Sequence, residues 1–415
     1  MGRCLAVGIL LILAIPAWSA ELGEINMTLK NKMKVHVSAP TVIAVAPKEV
    51  GWGFYQFPGI TRWDDGTICV TYSVSTDAVE SYGNPSACII SKDDGQTWTP
   101  YSGKWGLSGL VLPNGDRFSI VTPKAYKVED LNLPKPAEVV VGPYGGQRYT
   151  MYRLSELQPK LKTIRVKRLP KGADEWVSEH ASVYDPQALR YSINGLFPII
   201  WWGDVRVASD GSVIAGIYPG NLIREDGSVD PKWHVFFYRS TDFGRSWKIQ
   251  GRILYEPDMK ADEKGDNRSG FTEPAFDILA DGSFLCVMRT TDGAGIGPMY
   301  SSRSTDMGKT WSKPKVIAHN GVLPKLLRLE NGVQVLSSGR PGVQVRFSTD
   351  GDKWTDPIDL VPVTEADPHK DTCGYTSLVA TGPDTFLIAY SYFKHINEQG
   401  DVRKAILIRE VKVGS

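Results

Sequence analysis

Four residues spread along the chain, Glu273, Arg289, Arg340 and Tyr375, would form one coherent chemical set if the fold brought them together. A Glu beside a Tyr can serve as its base and turn the phenol into a nucleophile. Two Arg side chains can hold a carboxylate in bidentate fashion. A separate carboxylic acid on a neighbouring loop can protonate a leaving group, and Asp77 is the candidate, with Glu80 as the alternative. Gln56 falls at the corresponding place earlier in the chain, and its amide can both donate and accept.

The elements that must position these residues are legible as a repeat. Ser-x-Asp-x-Gly-x-Thr/Ser-Trp occurs at Ser91–Trp98, Ser240–Trp247 and Ser304–Trp311, and a copy one residue shorter at Ser348–Trp354. In such a turn the Ser and Asp side chains bond nearby backbone, Gly supplies positive φ and Trp packs back on the sheet. A second series of turn pairs sits between strand-like runs at Asp65-Gly66, Asn114-Gly115, Asp210-Gly211, Asp281-Gly282 and Asn331-Gly332, with Pro383-Asp384 as a weaker sixth. The unit is strand, tight turn, strand, loop, strand, Asp-box turn, strand. Six units predict an all-β, six-bladed propeller with Asp-box turns. Because strands within a blade are antiparallel, both kinds of turn fall on one edge. The start of each first strand and the end of each second strand meet on the opposite edge, where Gln56, Glu273, Tyr375, Arg289, Arg340 and the Asp77 loop converge.

The second unit has no Asp-box, and the sixth runs out of chain after Ala405–Val411. An open edge would leave unpaired backbone groups. The segment Val35–Ala46 is therefore expected to pair beside Ala405–Val411 and close the ring.

Residues 1–20 read as a signal peptide, with Arg3, an apolar run from Leu5 to Ile15, and small residues at Ala17, Ser19 and Ala20. Residues 21–415 then form a single propeller domain, and the chain is expected to be secreted or periplasmic without stable membrane insertion. With 47 basic and 46 acidic residues, nothing suggests a nucleic-acid partner. Beyond the leader the cysteines are Cys69, Cys88, Cys286 and Cys373, with no metal-binding spacing. They read as buried thiols, or as a Cys69–Cys88 disulfide with two others. No metal and no cofactor is expected.

Two segments, 122–147 and 171–196, read as long loops on the same edge as the candidate site. The first would join the second and third strands of the second blade. The second would lead into the third blade and carries Glu179, His180, Tyr184 and Asp185. They are expected to wall a cleft, with His180 a ligand contact, a catalytic acid/base or, as a lone His more often is, a hydrogen-bonded bystander. Trp201-Trp202-Gly203-Asp204 offers either a sugar-stacking platform or core packing.

The chain resembles the sialidase (neuraminidase) superfamily. The Asp-boxes carry part of the resemblance. Glu273 followed by Leu279–Arg289, Arg340 ahead of the Asp-box Ser348, and Tyr375-Thr-Ser-Leu followed by Phe386–Tyr390 carry the rest. The resemblance implies a retaining exo-glycosidase acting on a terminal acidic sugar of a glycan or glycoconjugate, with sialic acid the default. It implies Tyr375 as nucleophile, Glu273 as its base, Asp77 as acid/base, and Arg289 and Arg340 on the substrate carboxylate. Two positions depart from it. Tyr55-Gln56-Phe57-Pro58 puts Gln56 where the family has its first Arg, and Ser391 follows Tyr390 where the family has the Glu that braces that Arg. Loss of both partners together avoids an unpaired buried charge. Arg148 and Arg206 are candidates for a replacement cation. The alternatives are a hydrolase of the same fold for another acidic or neutral sugar, and a non-catalytic glycan-binding propeller.

Overall fold

The computed structural model describes residues 22–142, 144, 146–293 and 295–414, so the predicted signal peptide, residues 1–20, lies outside the described residues. Six antiparallel blades follow one another along the chain. The first has strands Gln56–Arg62, Ile68–Ser73, Ala87–Ser91 and Thr99–Pro100. The third runs from Trp202–Val207 to Ser246–Ile253, the fourth from Gly270–Ile278 to Lys315–Ala318, and the fifth from Val322–Arg328 to Ile358–Val361. Innermost and second strands are nearly continuous apolar runs, such as Phe284–Thr291, because each is covered on both faces by neighbouring blades.

Ring closure uses the predicted segment. Lys34–Val37 and Thr41–Val45 both pair with the last strand, Val402–Gly414, the first at Val411 to Gly414 and the second at Ala405 to Ile408. Val35, Val37, Ala405, Leu407 and Val411 are buried in one core cluster, so closure removes apolar surface as well as an exposed edge.

The Asp-boxes form the predicted staples. In the third blade Ser240 Oγ donates to Asp242 at 2.7 Å and accepts from Gly244 N at 2.8 Å, while Ser246 N donates to Asp242 at 2.9 Å. Trp247, fully buried, donates its indole N–H to the Gly244 carbonyl at 3.2 Å. Positive φ falls on two consecutive residues in each full copy, as in Phe243 and Gly244. In the shortened copy the Trp354 indole nitrogen finds no partner among the described residues.

The second blade departs from expectation. Its third strand is Thr163–Leu169 and its outer strand Val177–Tyr184, which pairs in parallel with the outer strand of the third blade. The segments 122–147 and 171–196 are therefore not open loops. Tyr126–Lys127, Glu138–Val141, Arg148–Arg153, Leu189–Ile193 and Leu196–Phe197 make an added five-stranded sheet. Its central pairing joins Tyr152 to Arg190, partners too far apart in sequence for a local pattern to reveal. In place of an Asp-box, the second blade uses Arg168, 1% exposed, which binds Asp116, Glu179 and the Phe243 carbonyl.

The four cysteines are free thiols, and the Cys69 and Cys88 sulfurs face each other on adjacent strands of the first blade. Among the described residues no helix is long and apolar enough to cross a membrane, and no group of His, Cys, Asp and Glu is placed to hold a metal ion.

Candidate functional site

The inner strands of three blades carry the same local device. A register shift interrupts pairing between Gln56 and Gly59, between Thr272 and Ala275, and between Val322 and Lys325. At each bulge a non-glycine residue takes positive φ and is followed by proline: Phe57-Pro58, Glu273-Pro274 and Leu323-Pro324. Bulges re-aim side chains and are common beside functional sites. Left-handed backbone at a non-glycine residue costs about 1–3 kcal/mol, so it persists only where surroundings impose it. Phe57, Glu273 and Leu323 are thus equivalent positions in three blades, and only one of them carries a charge.

Glu273 is 2% exposed. One carboxylate oxygen, Oε1, accepts from the Tyr375 hydroxyl and from Arg289 Nη1, the latter at 2.9 Å. The other, Oε2, accepts from the Leu323 backbone N–H of the next bulge at 2.8 Å. Burial alone would raise the Glu273 pKa. Arg289, the Tyr375 hydroxyl, Arg340 and the Leu323 amide outweigh it, so the group lies below the usual carboxylate range. Burial, and then the Glu273 charge, push the Tyr375 phenol well above its ordinary value, against the pull of Arg289 and Arg340. The resting pair is therefore a neutral phenol and an ionised carboxylate.

Arg340 also has positive φ and is 6% exposed. Its Nε donates to the Cys373 carbonyl at 2.9 Å, and its guanidinium lies 5.5 Å from the centre of the Tyr375 ring and 5.5 Å from that of Trp52. The Cys373 N–H in turn donates to Ser391 Oγ at 3.2 Å. Ser391 therefore supports the backbone that holds Arg340. Gln56 is fully buried, and neither its amide nitrogen nor its oxygen has a partner among the described residues.

Asp77 and Glu80 are both exposed on the loop between the second and third strands of the first blade, Glu80 on the short 3-10 helix Val79–Ser81. Asp77 accepts the Trp52 indole N–H at 2.8 Å, which ties it to the ring lying against Arg340. The structure thus gathers Glu273, Arg289, Arg340 and Tyr375 into direct contact and tethers Asp77 at their rim through Trp52.

The replacement cations named from sequence lie elsewhere. Arg206 lies near the tight-turn end of its strand and is paired with Asp277 at 3.0 Å. Arg148 is exposed on the added sheet. His180 sits on the outer strand of the second blade beside Thr163, with Glu179 engaged by Arg168 and Asp185 by Arg252 and Tyr238. The segment forms a paired strand where a loop was expected, which puts Glu179 and Asp185 in ion pairs and leaves His180 as the hydrogen-bonded bystander among its alternatives. The tryptophan pair divides. Trp201 stacks on Tyr238 in the core, while Trp202 packs against Tyr82 and Tyr218 on the site's edge.

Sequence reading missed Trp52, His369 and Tyr218, and reached Tyr144 only as part of the segment 122–147. Tyr218 feels the charge of Glu273. Tyr144, on the hairpin of the added sheet, is close enough to Arg289 and Glu273 to respond to both charges, although burial dominates the rise in its pKa. The Phe57-Pro58, Glu273-Pro274 and Leu323-Pro324 pairs were the available signal for the bulges.

Residues 185–392, half of the chain, match the BNR repeat-like domain family. The chain belongs to that family. Among solved structures, this BNR repeat-like propeller is similar to a Dyadobacter fermentans protein of unknown function, with 17% identity, 90% of this chain and 99% of that one covered, and a TM-score of 0.58. Weaker likenesses include a Hadza microbial sialidase (16% identity, 87% and 65% covered, TM-score 0.46) and a Penicillium chrysogenum alpha-L-arabinanase complexed with arabinobiose (15% identity, 92% and 98% covered, TM-score 0.47). No curated protein matches the sequence. The fold is a BNR repeat-like six-bladed β-propeller.

Proposed function

We propose that this chain is a secreted or periplasmic retaining exo-glycoside hydrolase that releases a terminal acidic sugar, sialic acid by default, from glycans. The observation that carries the reading is the shared, buried Glu273 oxygen, which accepts from both Tyr375 and Arg289. A phenol with so high a pKa attacks only if its proton leaves as the new bond forms. Glu273 is placed to take it, and Arg289 and Arg340 stabilise the negative charge that grows on the Tyr375 oxygen.

In the first step the Tyr375 oxygen bonds to the anomeric carbon, the bond to the leaving oxygen breaks, and Asp77 supplies that oxygen with a proton. In the second step water attacks the anomeric carbon, Asp77 takes the water's proton, and Tyr375 leaves with the proton returned by Glu273. Configuration is retained because the carbon is inverted twice. Gln56 favours a second reading, in which the same machinery acts on another acidic or a neutral sugar. A buried amide with both polar atoms unpartnered suits a neutral hydroxyl or amide better than a carboxylate. A screen of 4-methylumbelliferyl sialoside against uronides and neutral glycosides, with product configuration followed by NMR, separates the two. No turnover of any glycoside, with glycan binding retained, would instead identify a binding propeller.

A further inference from the structure

His369 lies on the segment between the fifth and sixth blades, where its imidazole meets Arg340 of the candidate clamp. Its Nε2 is 3.3 Å from Arg340 Nη1, and its Nδ1 is 3.1 Å from an Asp367 oxygen. A guanidinium only donates, so Nε2 accepts, and the ring hydrogen sits on Nδ1 and points to Asp367. The ring packs edge-on to Trp52 at 5.6 Å, and a Cβ at Gly295 would fall 2.8 Å from its Nε2 and Cε1. The imidazole is therefore fixed in orientation while its side chain remains 35% exposed.

The clamp is short of one cation. Gln56 is neutral, and Arg289 already gives a donor to Glu273. The charged and titratable groups around His369 are few. Arg340 lies against one ring nitrogen and Asp367 against the other. Asp77 lies behind Trp52, Lys370 acts on Asp367, Lys404 lies over Phe393 beyond Trp52, and Asp292 on the glycine loop is paired with Arg268. A ligand carboxylate arriving at Arg340 would bring a negative charge beside His369 Nε2.

Resting on the acidic-sugar reading above, we propose that His369 supplies the third cationic donor to the ligand's carboxylate, taking up one proton as the ligand binds. In the empty site Nε2 accepts from Arg340. In the occupied site the proton comes from solvent, Nε2–H donates to the carboxylate, and Asp367 holds the other N–H. His369 is then a specificity residue, because a neutral sugar supplies no charge to draw the proton in.

Linkage fixes the sign. Uptake of a proton on binding makes affinity greatest in acid, and it falls as pH rises. The test is calorimetric titration of a 2,3-didehydro sialic acid and of a glucuronide into the full chain, in buffers of different ionisation enthalpy. The expected result is uptake of about one proton per carboxylate ligand just above neutral pH. In His369→Gln the uptake should vanish and affinity at acidic pH should fall about ten- to a hundredfold. Wild-type binding without proton uptake, or uptake unchanged in His369→Gln, overturns the role of His369 and leaves the acidic-sugar reading intact. Failure of the wild-type protein to bind any acidic sugar overturns both.

Discussion

Tyr375 donates its hydroxyl hydrogen to Glu273 across 102 residues of sequence, and Arg289 grips the same carboxylate oxygen at 2.9 Å. Tyr375 opens the sixth blade and Glu273 sits in the bulge that opens the fourth, so the contact exists only because the ring closes. On the proposed mechanism Tyr375→Phe should lower kcat roughly 10³-fold or more on whichever glycoside the wild type cleaves. Glu273→Gln should lower it about 10²–10⁴-fold. Circular dichroism should show both variants folded. Near-normal turnover by a folded Tyr375→Phe protein would exclude the phenol as nucleophile.

The same contact makes stability depend on pH. The Glu273 pKa is lowered in the folded chain. Its ionised form therefore contributes stability that is fully present above the unfolded value, near about 4.3, and is lost as pH falls through the folded value. Replacement by Gln leaves Arg289 buried without its partner, which costs about 3–5 kcal/mol. Urea unfolding at neutral pH should show that loss. The gap between the two proteins should narrow in acid, as Glu273 in the wild type takes up its proton. A gap of constant size down to the acid limit would show that Glu273 does not titrate as a buried ion-pair partner.

Most of the architecture could be read from local chemistry. Asp-Gly and Asn-Gly turns and the Asp-box tryptophans mark each blade, because they satisfy backbone within a few residues. The site residues followed from their place at blade starts and strand ends. What escaped was long-range. The Tyr152–Arg190 pairing of the added sheet joins runs that look like loops when read alone. His369 and Trp52 reach Arg340 only after blades five, six and one are brought together. His180 was prominent as one of 6 histidines in the chain, yet strand pairing turned it toward the outer edge of the second blade.

The Asp-boxes should affect stability and leave the chemistry alone. Asp242 accepts from Ser240, Ser246 and two backbone amides, and its pKa is lowered: burial opposes, but these hydrogen bonds prevail. Asp242→Ala removes them at once and should cost about 1–3 kcal/mol. Trp247→Ala, at a fully buried site, should cost about 3–5 kcal/mol. Thermal denaturation reads both changes, and kcat of the folded fraction should stay within about twofold of wild type, since uncoupled changes far from the chemistry leave the barrier intact. A large fall in kcat at full folding would place the Asp-box in the active machinery.

Gln56 and Ser391 stand where the resemblance has a bracing ion pair, and a double-mutant cycle measures whether the pair can be restored. Gln56→Arg alone puts a cation at a fully buried position with no carboxylate to brace it, so it should destabilise by about 3–5 kcal/mol. Ser391→Glu alone also costs stability. It buries a carboxylate and removes the hydroxyl that accepts from Cys373 N–H, loosening the carbonyl that holds Arg340. Together the two charges can pair, and the double variant should recover about 1–3 kcal/mol of the summed loss. It should also bind a dehydrated sialic acid more tightly than either single variant. It need not exceed the wild type, because Arg340 will have lost part of its support. Additive losses in the four proteins, with no coupling in stability or in inhibitor affinity, would show that positions 56 and 391 do not face each other as an ion pair would require.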